Sequence, residues 1–137
     1  MKILLMVLLA VLSLALIICG VMLHLCNKGG DSKLYCFIFN HDEWIGWEAV
    51  VKDFDNVEFE GYYTYEENPA LDCYAFNLSM PDGSKCNMNY WTKTNSVSVH
   101  DYPGSENCLC TFDKYHQKVV KGLLYDKFDF MREVIDR

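Results

Sequence analysis

Residues 74–90, "YAFNLSMPDGSKCNMNY", decide how this chain folds. Tyr74, Phe76, Leu78 and Met80 alternate with small or polar residues, the period of two that marks a strand with one buried face. Cys86, Met88 and Tyr90 alternate with Asn87 and Asn89 in the same way. Pro81-Asp82-Gly83 between them reads as a three-residue loop with Gly83 left-handed and bulged, which pairs Met80 with Ser84. Leu78 then faces Cys86, Phe76 faces Met88 and Tyr74 faces Tyr90. A slip of one residue would set Phe76 against Asn89, so turn chemistry and burial select one register. Cys73 and Cys86 fall on opposite faces and are expected not to bond to each other.

Working outward, "LYCFIFN" (34–40) is a continuous apolar run that suits a strand buried on both faces. Asn40, with Glu43 three residues on as in a capping box, predicts a helix whose stripe is Trp47, Val50, Val51 and Phe54. "VEFEGYYTY" (57–65) alternates, placing Val57, Phe59, Tyr63 and Tyr65 on one face. Val97 and Val99 point inward from another strand, and "CLCTF" (108–112) predicts a last strand with Cys108, Cys110 and Phe112 on one face. From Asp113 the pattern turns helical through Val120, Leu124, Phe128, Met131 and Ile135, with Gly122 as a point of bending. The expected class is α+β: a small, mostly antiparallel sheet with an early and a C-terminal helix.

Upstream lies "MKILLMVLLAVLSLALIICGVMLHLCNKGG" (1–30). Ile3 to Leu23 is 21 residues without a charge, enough to cross a ~30 Å hydrocarbon core. A cleaved signal carries a shorter apolar stretch and a small-x-small site, and none follows here. Leu16-Ile17-Ile18-Cys19 approaches a bacterial lipobox, but bulky Ile18 precedes the cysteine and the apolar run continues past it. Residues 1–26 are therefore read as a transmembrane signal-anchor, 27–33 as a short linker and 34–137 as an extracytoplasmic domain. Lys2 and the amino terminus against Lys28 and Lys33 nearly balance the positive-inside rule. The cysteines break the tie. Cys36, Cys73, Cys86, Cys108 and Cys110 are disulfide candidates, and scattered cysteines suit an oxidising compartment with the N-terminus left in the cytoplasm.

The 111 residues after Cys26 hold all 19 acids and 11 of the 12 bases. That balance argues against nucleic acid, which needs clustered Lys and Arg, and is compatible with a basic protein partner. Cys108-x-Cys110 is the sharpest local feature, and His116 would complete a weak set of metal ligands. Zinc sites more often use Cys-x-x-Cys, so structural half-cystines with separate partners are expected, and no cofactor. His41-Asp42-Glu43 opens a helix, where its acids answer the dipole, and His100-Asp101 reads as a surface pair. Asn77-Leu78-Ser79 is a glycosylation sequon on the polar side of its strand. No nucleophile elbow, phosphate loop or His-Glu-x-x-His occurs.

Trp91, with Cys73 and Ala75, falls on the face opposite the expected core, and Tyr62 joins it there. Exposed Trp and Tyr on a sheet are the stuff of interface hot spots. The expectation is a non-enzymatic protein-binding domain held at a membrane, such as an inhibitor, an immunity protein or an accessory subunit of an envelope complex. A cleaved, secreted binding module is one alternative. A thiol-redox or metal-handling membrane protein using Cys108 and Cys110 is another.

Overall fold

A computed structural model describes residues 1–81, 83–100 and 108–135. Asp82 of the hairpin loop and Asp101 beside His100 lie outside them. The chain runs α1 (Lys2–Lys28), α2 (Lys33–Phe39), α3 (His41–Lys52), β1 (Val57–Tyr63), β2 (Cys73–Ser79), β3 (Lys85–Trp91), β4 (Ser96–His100) and α4 (Lys114–Lys127). The four strands form one antiparallel sheet in the order β1-β2-β3-β4. The class is α+β.

The hairpin holds the register that its alternation demands. Leu78 pairs with Cys86, Phe76 with Met88 and Tyr74 with Tyr90. Met80 N–H donates to Ser84 O at 2.8 Å, and Gly83 takes a φ of 88°, in the left-handed region where a side chain is disfavoured. The inner face of the sheet meets Trp47, Val50 and Phe54 from α3 and its exit, and Val120, Leu124, Met131 and Ile135 from α4 and the turn after it. A fully buried side chain of this size contributes roughly 1.5–3 kcal/mol. Both helices therefore sit on one side of the sheet.

Three elements differ from expectation. "LYCFIFN" is helical: Ser32 Oγ accepts from Tyr35 N–H at 3.2 Å and starts α2. A short apolar run cannot distinguish strand from helix by period, and here only Cys36 of the run turns fully inward. Asn40 closes α2 and opens α3 at once, so its side chain makes no cap bond and lies instead 3.5 Å from Glu43 Oε2. "CLCTF" is no strand. It touches the sheet through a single bridge, Val99 to Leu109, and buries Leu109 while leaving Phe112 exposed. Cys108 and Cys110 lie at disulfide distance from each other, with Cα atoms 5.8 Å apart, so the segment is too contracted to alternate. Gly46 on α3 makes room for it, because a Cβ there would sit 2.8 Å from Leu109 Cδ2.

The third difference is β1. A bulge between Phe59 and Gly61 shifts the register, so Phe59 pairs with Phe76 but Tyr62 pairs with Tyr74 and Tyr63 with Cys73. One extra residue reverses every face beyond it.

α1 is the one helix among the described residues long and apolar enough to cross a membrane, with a mean hydropathy of 3.1 over its most apolar window. Its 27 residues span about 40 Å at ~1.5 Å per residue. Its last turn belongs to the domain: Leu25 is buried, and a 3-10 turn at Gly29–Asp31 leads directly into Ser32. Residues 27–33 are thus folded rather than extended. Gly30 is present for close approach, since a Cβ on it would collide with the Phe112 carbonyl. Replacing Gly30 with Ala is expected to cost the ~1–3 kcal/mol typical of overpacking. Gly20→Ala, where a Cβ meets nothing within 4 Å, is the matched control. Thermal unfolding of both variants in the same detergent measures the contrast.

Candidate functional site

The outer face of the sheet carries Cys73 and Ala75 from β2, Asn87, Asn89 and Trp91 from β3, and Ser96, Ser98 and His100 from β4. Trp91 is half-buried and lies outside the core cluster. Its Nε1–H donates to Ser98 Oγ at 2.8 Å, and Ser98 Oγ lies 3.1 Å from His100 Nε2. These bonds fix the indole against the sheet with its apolar edge beside a shallow cleft of about 370 Å³. Cys73 and Ala75 line the cleft together with Glu60, Tyr63, Tyr65, Trp91 and His100. Burial first, then Asp72, raises the Cys73 thiol above its ordinary range.

Sequence alternation put Tyr62 on this face. The structure puts it on the inner face, its ring 4.5 Å from Tyr74, because the bulge precedes it. Tyr63 and Tyr65 take its place beside Trp91. A glycine inside an alternating strand, Gly61, is the signal that would have suggested the bulge.

The second cluster is buried. Asp113 caps α4, accepting from His116 N–H at 3.0 Å, while its other oxygen lies 2.6 Å from His116 Nδ1. Glu48 Oε1 on α3 lies 2.8 Å from His116 Nε2. Asp113 and His116 are fully buried, whereas Glu48 is half-exposed at its side chain. Each ring nitrogen of His116 therefore faces a carboxylate oxygen. Trp44 meets this ring edge-on at 4.5 Å and Trp47 stacks on it at 6.2 Å. His116 is thereby committed and is not a third ligand for Cys108 and Cys110. Among the described residues, no group of three or more His, Cys, Asp or Glu side chains is arranged to hold a metal.

Cys36 completes the cluster. Its thiol is fully buried, contacts Gly30 O at 3.5 Å, and is pushed up to about 12 by burial first and then by Asp113, Glu43 and Asp31. Burial, then Asp113, raises Glu43 as well. A thiol that resists ionisation is a poor nucleophile. Cys36 and Cys73, two of the disulfide candidates, form no disulfide among the described residues. Cys36 sits in a helix rather than a strand, and Cys73 and Cys86 lie on opposite faces of neighbouring strands.

A larger open depression of about 820 Å³ runs along α4 beside Thr94, Ser96 and Thr111, with Lys114, Lys118 and Lys121 on its rim. Gln117 forms part of its wall, bonded to both Val97 backbone groups and to Cys110 O. No protein-family model, curated protein or solved structure matches the chain.

Two outcomes follow from the buried cluster. His116→Ala leaves the buried Asp113 without its side-chain partner and is expected to cost ~1–3 kcal/mol in chemical denaturation. Cys36 holds in the folded state a proton that an unfolded thiol loses near pH 9. Its contribution is whole below that pH and is lost as pH climbs toward 12. The denaturation midpoint should therefore fall above pH 9, and Cys36→Ser should make the fall shallower.

Proposed function

We propose that this protein is a membrane-anchored domain that binds another protein through the outer face of its sheet, with Trp91 at the centre. The observation that carries the reading is the cleft itself. Tyr63, Tyr65, Trp91 and His100 stand together on the side of the sheet opposite α3 and α4. An anchored indole flanked by tyrosines offers a large, rigid, partly apolar contact at little entropic cost. Glu60 lines the same cleft, and Glu58 lies two residues before it on the edge strand, which favours a basic patch on the partner.

A binding role, of inhibitor or immunity type or as an accessory subunit, agrees with the chemistry of the interior. His116 is engaged at both nitrogens, and the Cys36 thiol is kept protonated. Neither is placed to act on a substrate. In this reading α1 remains in the membrane, the N-terminus is cytoplasmic and the domain faces an oxidising compartment, where the Cys108–Cys110 pair staples the segment that carries Leu109.

Trp91→Ala tests the reading. The side chain is half-buried with one hydrogen bond, so its truncation should cost less stability than the ~3–5 kcal/mol of a core aromatic. It should weaken partner capture by ≥ ~2 kcal/mol, roughly thirtyfold in Kd. Unchanged capture by a well-folded variant would remove Trp91 from the interface.

A further inference from the structure

The apolar residues that the domain leaves uncovered fall in two groups, one on and after β1 with Phe59, Tyr62, Tyr63, Tyr65, Leu71 and Phe130, and one on and around α2 that holds the exposed Leu34, Ile38 and Ile45. Leu34, Phe37 and Ile38, at positions i, i+3 and i+4 of α2, are 47%, 46% and 49% exposed. Phe39 at the end of α2, Ile45 on α3 and Phe112 before α4 are 49%, 54% and 48% exposed. Their aromatic members are tied together. Phe37 packs edge-on against Trp44 at 5.6 Å, and Tyr35 lies 4.9 Å from Phe39 and 6.1 Å from Phe112. A concentration of exposed Leu, Ile and Phe on one region of a small domain marks a surface that is covered in use.

We infer that α2 and the adjoining edge of α3 lie in the interfacial layer of the bilayer that α1 spans, so that Leu34, Phe37, Ile38 and Ile45 enter the boundary between headgroups and acyl chains. The occupant follows from continuity. α1 ends at Lys28 and α2 begins at Lys33, with only a 3-10 turn and Ser32 between them. That junction is packed rather than free: Leu25 is buried, Gly30 abuts the Phe112 carbonyl, and Cys36 contacts Gly30 O. The apolar face is thereby tied to the exit point of the helix, where lipid is the nearest apolar phase. Apolar side chains on one face of a helix at the membrane surface bury themselves at the boundary between headgroups and acyl chains. Lys28 precedes the turn, and its stem can lie along the surface while its ammonium group meets phosphates, whereas Lys33 Nζ lies over the Tyr115 ring at 5.3 Å. Asp31, Asp42 and Glu43 in the same region repel anionic headgroups, so the insertion is apolar in origin and suits a zwitterionic bilayer. The continuous apolar character of "LYCFIFN" then has its explanation: one side of the helix meets the protein and the other meets lipid.

This inference rests on α1 being a retained membrane helix, and the test separates the two. Membranes holding the full-length chain are first washed with alkaline carbonate. The same chain is then reconstituted in phosphatidylcholine nanodiscs with a photoreactive benzoylphenylalanine in place of Phe37, of Ile38 or of Phe59, an exposed residue on the far edge strand. The wash should leave the chain in the pellet. Irradiation should give lipid adducts, read by mass, at Phe37 and Ile38 and none at Phe59. The Ile38 position guards against disruption of the Phe37–Trp44 contact. A chain released by carbonate overturns both the anchor and the inference. A retained chain with no lipid adduct at Phe37 or Ile38, or with equal adducts at Phe59, overturns the inference alone.

Discussion

Asp113 is the point to which the helical half of the structure is tied. It is a carboxylate with no exposure to solvent, a state that costs several kcal/mol unless the charge is answered. Two groups answer it. The first turn of α4 donates a backbone N–H and the His116 ring lies 2.6 Å away, while the same ring reaches across to Glu48 on α3. One side chain thus starts α4 and, through the imidazole, fixes the distance between α4 and α3. Its field extends to α2, where it helps to hold the Cys36 proton in place. Trp44 and Trp47 pack around the imidazole and separate most of the cluster from water.

The sheet supplies the other half of the logic. α3 and α4 lie on its inner face, and the outer face carries the side chains of β2, β3 and β4 described above. Ser98 and His100 hold the Trp91 indole from one side, and Tyr63 and Tyr65 stand at the other because a bulge turned them there. The bulge also interrupts the edge strand, which discourages uncontrolled pairing with other chains. The proposed binding face and a protected edge therefore come from the same inserted residue.

The end of α1 joins the two halves to the membrane question. Leu25 is buried in the domain although the rest of the long helix is not, and the glycine-rich turn after it is compressed against Phe112. A composition of Gly, Asp, Ser and Lys reads as a tether, yet here it makes a rigid corner.

The hairpin, the α+β class, the apolar helix and the start of α4 were legible from the sequence alone, because each is set by local rules, whereas α4 stops at Lys127 and a 3-10 turn carries Met131 where the pattern predicted helix through Ile135. A period of two, a Pro-Asp-Gly loop and a long uncharged run act over neighbouring residues and leave few alternatives. Trp91 was placed on the outer face by the same parity. Tertiary structure decided what parity could not. The bulge at Glu60 is one backbone event that reverses the faces of Tyr62 and Tyr63, and alternation cannot reveal where it breaks. The state of "LYCFIFN" depended on whether strands or a helix end awaited it. The role of His116 depended on Glu48, 68 residues away, which came to face it only when α3 packed on α4. Local chemistry writes the elements of this protein, and contacts between distant residues assign their faces and their charges.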